Sequence, residues 1–139
     1  MDAEPLLTQV ALAPVLLKNI GDHLKRLDLV DCGLEGTIPA DIGALCPNLS
    51  ILGLAANPGL TGRIPSSIGT IKSLRKLFLN QNNLSGNVPP SFAALKHVYK
   101  LYLYGNQLTP VKDAPLDSDG KMRYENLPES QAFLTSLIE

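Results

Sequence analysis

A short right-handed α/β solenoid, with a parallel concave β-sheet and a helical cap at each end, is the fold class this sequence predicts. Three observations predict it. One apolar pattern occurs four times, with spacings of 25, 25 and 24 residues from Leu24 to Leu49, Leu74 and Val98. Self-similarity at a period of roughly 20 to 50 residues is the signature of stacked supersecondary units. Within each copy the central leucines alternate with other residues at period two, which is a short strand with one buried face. Three copies then run through Gly-x-Ile-Pro or Gly-x-Val-Pro, where glycine permits close or positive-φ backbone and proline favours extended chain on the outer side of the coil.

In chain order, residues 1–23 are expected to form a helical cap plus half a repeat. Residues 6–17 (LLTQVALAPVLL) place Leu6, Val10 and Leu16 or Leu17 on one helical face, Pro5 suits a first helical residue, and Pro14 interrupts the run. The segment is as long as a signal-peptide core. Yet Asp2 and Glu4 precede it without Lys or Arg, whereas a secretory leader starts positively charged. Residues 17–21 match the back half of a repeat.

The four repeats occupy residues 24–111. The first is Leu24, Leu27, Leu29, Cys32, Leu34, Gly36, Ile38, Pro39, and the second is Leu49, Leu52, Leu54, Asn57, Leu60, Gly62, Ile64, Pro65. The third is Leu74, Leu77, Leu79, Asn82, Leu84, Gly86, Val88, Pro89, and the fourth is Val98, Leu101, Leu103, Asn106, Leu108, Pro110. Four strands of this kind stack in parallel about 4.8 Å apart. Asn57, Asn82 and Asn106 follow the strand where the chain turns inward, and a carboxamide there satisfies backbone groups left unpaired by the turn. Cys32 holds the same ladder position in the first copy as a small, mostly apolar substitute. No repeat buries its leucines alone, and about three must stack, so four repeats with caps sit near the lower limit. Residues 112–139 are expected to be a polar loop and a capping helix. Pro128 opens that helix, and Phe133, Leu134, Leu137 and Ile138 cover the open edge of the last strand.

Together the copies read L-x-x-L-x-L-x-x-N/C-x-L-x-G-x-I-P, with Ile42-Gly43 and Ile68-Gly69 following the first two. This resembles the leucine-rich-repeat family. The G-x-I-P and I-G segments resemble its plant-specific subclass, found in receptor-kinase ectodomains and in inhibitors of cell-wall-degrading enzymes. Departures are an extra residue at Pro58-Gly59, another in the turn Leu45-Cys46-Pro47-Asn48, and a fourth copy without its G-x-I-P half. The resemblance implies a non-catalytic protein-interaction module without cofactor, whose concave face is the recognition surface.

Composition narrows the classes further. Lys plus Arg is 12 against 13 Asp plus Glu, so the chain lacks the bulk positive charge of a generic nucleic-acid binder. At 45% hydrophobic and 18% charged it is too apolar for a disordered chain, and no stretch approaches the roughly 18 to 20 apolar residues that span a bilayer. Two cysteines, Cys32 and Cys46, are too sparse for a disulfide scaffold and match no zinc pattern. Free thiols suggest a reducing compartment, so a cytoplasmic location is the expectation. The alternative is a secreted or cell-surface recognition domain. In that setting Asn48-Leu-Ser50 and Asn83-Leu-Ser85 are glycosylation triplets, although the paired cysteines that commonly cap such ectodomains are missing.

The outward strand positions locate a partner face. The first strand presents Lys25, Arg26, Asp28, Val30 and Asp31, and the second Ser50, Ile51, Gly53, Ala55 and Ala56. The third presents Arg75, Lys76, Phe78, Asn80 and Gln81, and the fourth Tyr99, Lys100, Tyr102, Tyr104 and Gly105. Aromatic and Arg anchors of this type dominate binding hot spots, so Arg75, Lys76, Phe78, Tyr99, Lys100, Tyr102 and Tyr104 are the candidate site. The competing reading is that these side chains only keep the strands paired and solvated. Residues 42–112 contain seven bases and no acid, between two segments of formal charge −4. The expected partner is therefore an acidic protein or peptide, with a second copy of the chain as one candidate.

Constellations that suggest chemistry do not assemble. His23 and His97 lie 74 residues apart, with three repeats between them. The Asp117-Ser-Asp119-Gly120 segment has Pro115 and Asn126 where a calcium loop needs its first and twelfth ligands. Cys46, beside Pro47 in an inserted turn, is expected to be partly exposed but has no neighbouring base. No catalytic residue and no metal site are assigned.

Overall fold

The computed structural model describes residues 10–11 and 14–109. Each repeat contributes one strand to each of two parallel sheets. The four-stranded sheet runs β2 (Arg26–Asp28), β4 (Ile51–Gly53), β6 (Lys76–Phe78), β8 (Lys100–Tyr102), with Leu27, Leu52, Leu77 and Leu101 in register. The second sheet runs β1 (Val10–Ala11), β3 (Leu34–Thr37), β5 (Gly59–Arg63), β7 (Asn83–Gly86), β9 (Gln107–Leu108).

The first sheet is the concave sheet of the sequence reading. Leu52, Leu54, Leu77, Leu79, Leu101 and Leu103 are buried beneath it, because period-two alternation drives them to one face. The second sheet goes beyond that reading, which treated the L-x-G-x segment only as a buried column and a turn. Leu34, Leu60 and Leu84 are buried there, and their neighbours point outward. Gly62 shows why the segment turns after three or four residues. Its φ is +80°, and a Cβ would stand 2.9 Å from Thr37 Cγ2. Only glycine occupies that conformation without strain.

The third side of the coil is helical and thin. It consists of α2 (Ile42–Leu45) and the 3-10 turns Ser66–Thr70 and Pro90–Ala94. Ile42, Ile68 and Phe92 fill the core from this side. The turns interlock through small polar contacts: Gly43 N–H donates to Ser67 Oγ at 3.0 Å, and Ser91 Oγ donates to Ser66 O at 2.7 Å. One contiguous apolar cluster runs from Leu17 to Leu103.

The asparagines tie successive repeats together. Asn57 Oδ1 accepts from Cys32 N–H at 3.0 Å and Leu34 N–H at 3.1 Å, and its Nδ2 donates to Leu29 O and Leu54 O, both at 2.9 Å. Asn57 N–H in turn donates to Asn82 Oδ1 at 2.8 Å, and Asn106 Nδ2 donates back to Leu79 O at 2.7 Å. The residue before each ladder position is left-handed: Asp31, Ala56 and Gln81 at φ 52°, 58° and 59°, and Gly105 at 75°. At Ala56, Gln81 and Gly105 that kink aims the following carboxamide inward.

Two N-terminal expectations are corrected. Helix α1 (Pro14–Ile20) starts at Pro14 instead of being interrupted there, as suits a residue without an N–H and with a preset φ. Residues 10–11 form β1 and pair with β3 in the second sheet. The first-copy substitute is corrected too. The Cys32 side chain is exposed and its thiol donates to Val30 O at 3.4 Å, since Asn57 reaches across to satisfy the Cys32 backbone and leaves the thiol no buried role. Pro5, the polar loop and the helix expected after Pro128 lie outside the described residues.

Asn57→Ala leaves several buried backbone groups without partners and is expected to destabilise the protein by about 3 kcal/mol. Asn82→Ala, which strands fewer groups, should cost about 2 kcal/mol. Denaturant midpoints read both, and an unchanged midpoint for Asn57→Ala would show that the ladder does not hold the repeats.

Candidate functional site

Strand alternation that buries the leucines presents the intervening side chains on the concave sheet. Phe78 and Tyr102 occupy paired positions, with ring centroids 5.0 Å apart at 59°. Tyr102 continues to Tyr104 at 5.9 Å and 46°. The three rings thus form one connected half-exposed strip across two strands. Tilted pairs at this separation gain from their quadrupoles beyond the area they cover.

Cations border the strip. Lys76 and Lys100 are direct neighbours across β6 and β8. Like charges opposite one another oppose strand pairing. Lys76 Nζ lies 5.7 Å from the Tyr99 ring centroid, a cation–π contact on an aromatic that is itself 36% exposed. Arg75 is exposed at the start of β6, its backbone bonded to Ser50 on one side and Tyr99 on the other. Four of the seven candidate residues, Lys76, Phe78, Lys100 and Tyr102, therefore lie on two adjacent strands, with Arg75 and Tyr99 just before them and Tyr104 two residues after β8. On β4 the row is low: Gly53 and Ala55 are buried, and Gly53 stays bare because Asp28 Oδ1 lies 2.8 Å from where a Cβ would stand. Beyond it an exposed Arg26–Asp28 ion pair at 2.9 Å forms the far wall.

Asn80 received no role from the sequence. It is 6% exposed, and among the described residues its Oδ1 is buried without a hydrogen-bond partner. An unpaired buried polar atom costs about 1 to 3 kcal/mol. The register that pairs Gly53, Phe78 and Tyr102 sets Asn80 between Ala55 and Tyr104, and the first strand offers Val30 in that row. The signal was a single carboxamide in an otherwise non-carboxamide row, hidden by nearby asparagines with structural work.

Other flagged residues are placed apart from this face. His23 and His97 are exposed at separate repeats. Among the described residues no group of three or more His, Cys, Asp and Glu could hold a metal ion, and no helix is long and apolar enough to cross a membrane. Asn48 Nδ2 donates to Asp22 O at 2.9 Å, whereas Asn83 and Ser85 are both exposed on β7, either side of buried Leu84. Cys46 is fully buried, correcting the expected partial exposure. It caps α2 through a 2.9 Å bond from its N–H to Ile42 O, and its Sγ packs over Gly21, while Pro47 and Asn48 take the exposed part of the turn. Burial, reinforced by the Asp22 carboxylate, pushes its thiol above the ordinary 9.0.

Residues 47–108 match a family model described as leucine rich repeat, and residues 23–45 match a second of the same description. A chain of the BIR3–SERK2 complex from Arabidopsis thaliana is 35% identical with a TM-score of 0.68, over 73% of this chain and 53% of that one. The ectodomain of the Arabidopsis receptor kinase HAESA, in complex with an extended IDA peptide hormone, is 32% identical with a TM-score of 0.69, over 73% of this chain and 17% of that one. A plant ice-binding protein is 27% identical with a TM-score of 0.65, over 73% of this chain and 32% of that one. The chain spans about half the length of the first and smaller fractions of the other two.

The thiols supply a test of the placement. A raised thiol value favours the protonated form in the fold, so Cys46 contributes fully below pH 9.0 and that contribution is lost as pH rises beyond it. Near pH 8 a maleimide should label Cys32 and spare Cys46 until the protein unfolds. Between about pH 8 and 10 the wild type should lose more stability than Cys46→Ala. Equal labelling of both cysteines in the native protein would contradict the burial.

Proposed function

The chain belongs to the leucine-rich-repeat family, and from that premise we propose that it is a non-catalytic recognition domain of the plant receptor and defence class. In this reading it works outside the cell, and its concave sheet binds an acidic peptide or protein. The observation that carries the reading is the connected Phe78–Tyr102–Tyr104 strip bordered by the Lys76 and Lys100 pair. Half-exposed rings cost solvation, and paired like charges oppose the sheet, so an anionic partner that covers the rings and separates the lysines relieves both. The segment from residue 42 to residue 112 has no acid to neutralise these cations internally.

The extracellular part rests on resemblance to the HAESA ectodomain, which holds a peptide hormone, and it replaces the cytoplasmic expectation drawn from free thiols. Buried Cys46 and the single exposed thiol of Cys32 are compatible with either compartment.

The surface is tested by pull-down from native extract with wild type and the Tyr102→Ala/Tyr104→Ala double variant, read by mass spectrometry at low and high salt. A partner captured by the wild type should bind the double variant about a hundredfold more weakly, and it should be lost at high salt. Equal capture by both proteins would move the binding surface off the concave sheet.

The compartment is tested separately by the sugar. Asn83 carries its triplet on an exposed face, whereas the Asn48 amide is engaged with Asp22 O. Intact-mass analysis of the protein from its native tissue should show an N-linked glycan removed by glycosidase and absent from Asn83→Gln. A bare Asn83 in that tissue would defeat the extracellular reading.

A further inference from the structure

The rows of the concave sheet differ in what the fold needs from them. In the row Val30, Ala55, Asn80, Tyr104 the first two side chains are apolar and the last brings an aromatic ring. Packing there asks for nothing polar. Asn80 nevertheless places a carboxamide in that row, nine-tenths buried, with its oxygen unpartnered among the described residues. It stands apart from the ladder asparagines, whose amides are engaged with backbone.

We propose that Asn80 is the anchor of a peptide subsite on the concave sheet, reading one main-chain amide of an extended acidic segment. This rests on the reading of that sheet as the recognition surface and adds its specificity element. A carboxamide carries a donor and an acceptor side by side, which matches the acceptor and donor of a peptide main chain. Its terminal torsion is broad and roughly two-fold, so it turns to meet a ligand without backbone movement.

The other contacts lie along β6 and the extended residues that continue its pairing to Gln81. Lys76, Phe78 and Asn80 follow one another at every second residue on the same face, with Lys100, Tyr102 and Tyr104 beside them. Four residues of strand separate Lys76 from Asn80, roughly 13 Å, the reach of about four residues of extended peptide. The subsite therefore takes an acidic side chain at the lysine pair and an apolar side chain two positions along, against Phe78 and Tyr102. The main-chain amide about four positions along falls at Asn80. The low row of Gly53 and Ala55 leaves room for the peptide backbone beside these contacts.

The probe is a synthetic array of extended dodecapeptides, each with one Asp or Glu and an apolar residue two positions away, presented to the full chain. The wild type should retain a subset, and Asn80→Val should bind that subset at least tenfold more weakly. Its thermal midpoint should be equal to or above the wild type, since an orphaned polar atom has been removed. N-methylation of the retained peptide, position by position, should show one amide three to five residues from the acid whose methylation costs the wild type tenfold or more. The same methylation should cost Asn80→Val nothing further. A purely structural role for Asn80 does not produce that coupling.

Retention of affinity by Asn80→Val while the tyrosine double variant loses it would overturn the Asn80 assignment and leave the concave-face reading standing. Loss of affinity by neither variant would overturn both. Failure of the wild type to retain any peptide would overturn the peptide subsite, with the pull-down then deciding the face.

Discussion

The structure depends on the fate of backbone polar groups at the end of each concave strand. There the chain must leave the sheet, cross the core side and start a second strand, which strips N–H and C=O groups of ladder partners in a buried place. Asn57 resolves this for two repeats at once, accepting from the Cys32 and Leu34 amides while donating to Leu29 and Leu54. Because the carboxamide spans the joint, a repeat is complete only when its successor is present. That is the physical content of the one-dimensional coupling of stacked repeats. The first repeat shows the converse: Leu24, Leu27 and Leu29 are only partly buried against the described residues, among which β2 is the edge strand of its sheet.

The same constraint divides the surface. Left-handed residues at Ala56, Gln81 and Gly105 aim the carboxamides inward, and short parallel strands hold the leucines beneath the sheet. Three sides of the coil thereby become determined by packing. What stays free is the alternate set of strand positions. These are held at about 4.8 Å spacing by the ladder and are stiff enough to preorganise side chains without immobilisation cost at binding.

This division explains what was legible in the sequence. Buried positions repeat, so Leu52, Leu77 and Leu101 and the ladder asparagines could be placed before any coordinates, as could the side of the sheet that Phe78 and Tyr102 occupy. Four features escaped, each because a local reading competes with a neighbour far away in sequence. The second sheet was hidden because L-x-G-x is too short to register as a strand until β1, β3, β5, β7 and β9 stack. Pro14 reads as a breaker within an apolar run, yet serves as a helix start once residues 10–11 are committed to pairing with β3. Cys32 reads as a ladder member by alignment, but Asn57 in the next repeat already serves its backbone. Cys46 reads as part of a loop insertion, but it packs over Gly21 from the preceding half-repeat.

Recognition is the least legible property, because an outward residue that costs the fold nothing carries no pattern. Information about function resides instead where an outward residue does cost something. Lys76 opposite Lys100 opposes strand pairing, and Tyr99 exposes a large ring. Asn80 buries an oxygen that has no hydrogen-bond partner among the described residues, beside a paired ring strip. Each departure alone admits an explanation from solubility or chance. Their concentration on β6 and the repeat that carries β8, while the helical side satisfies its polar groups through Ser67, Thr70 and Ser91, does not follow from packing. A folded domain has little net stability to spare. Unfavourable features gathered on one face are therefore what a surface shaped by a partner would leave.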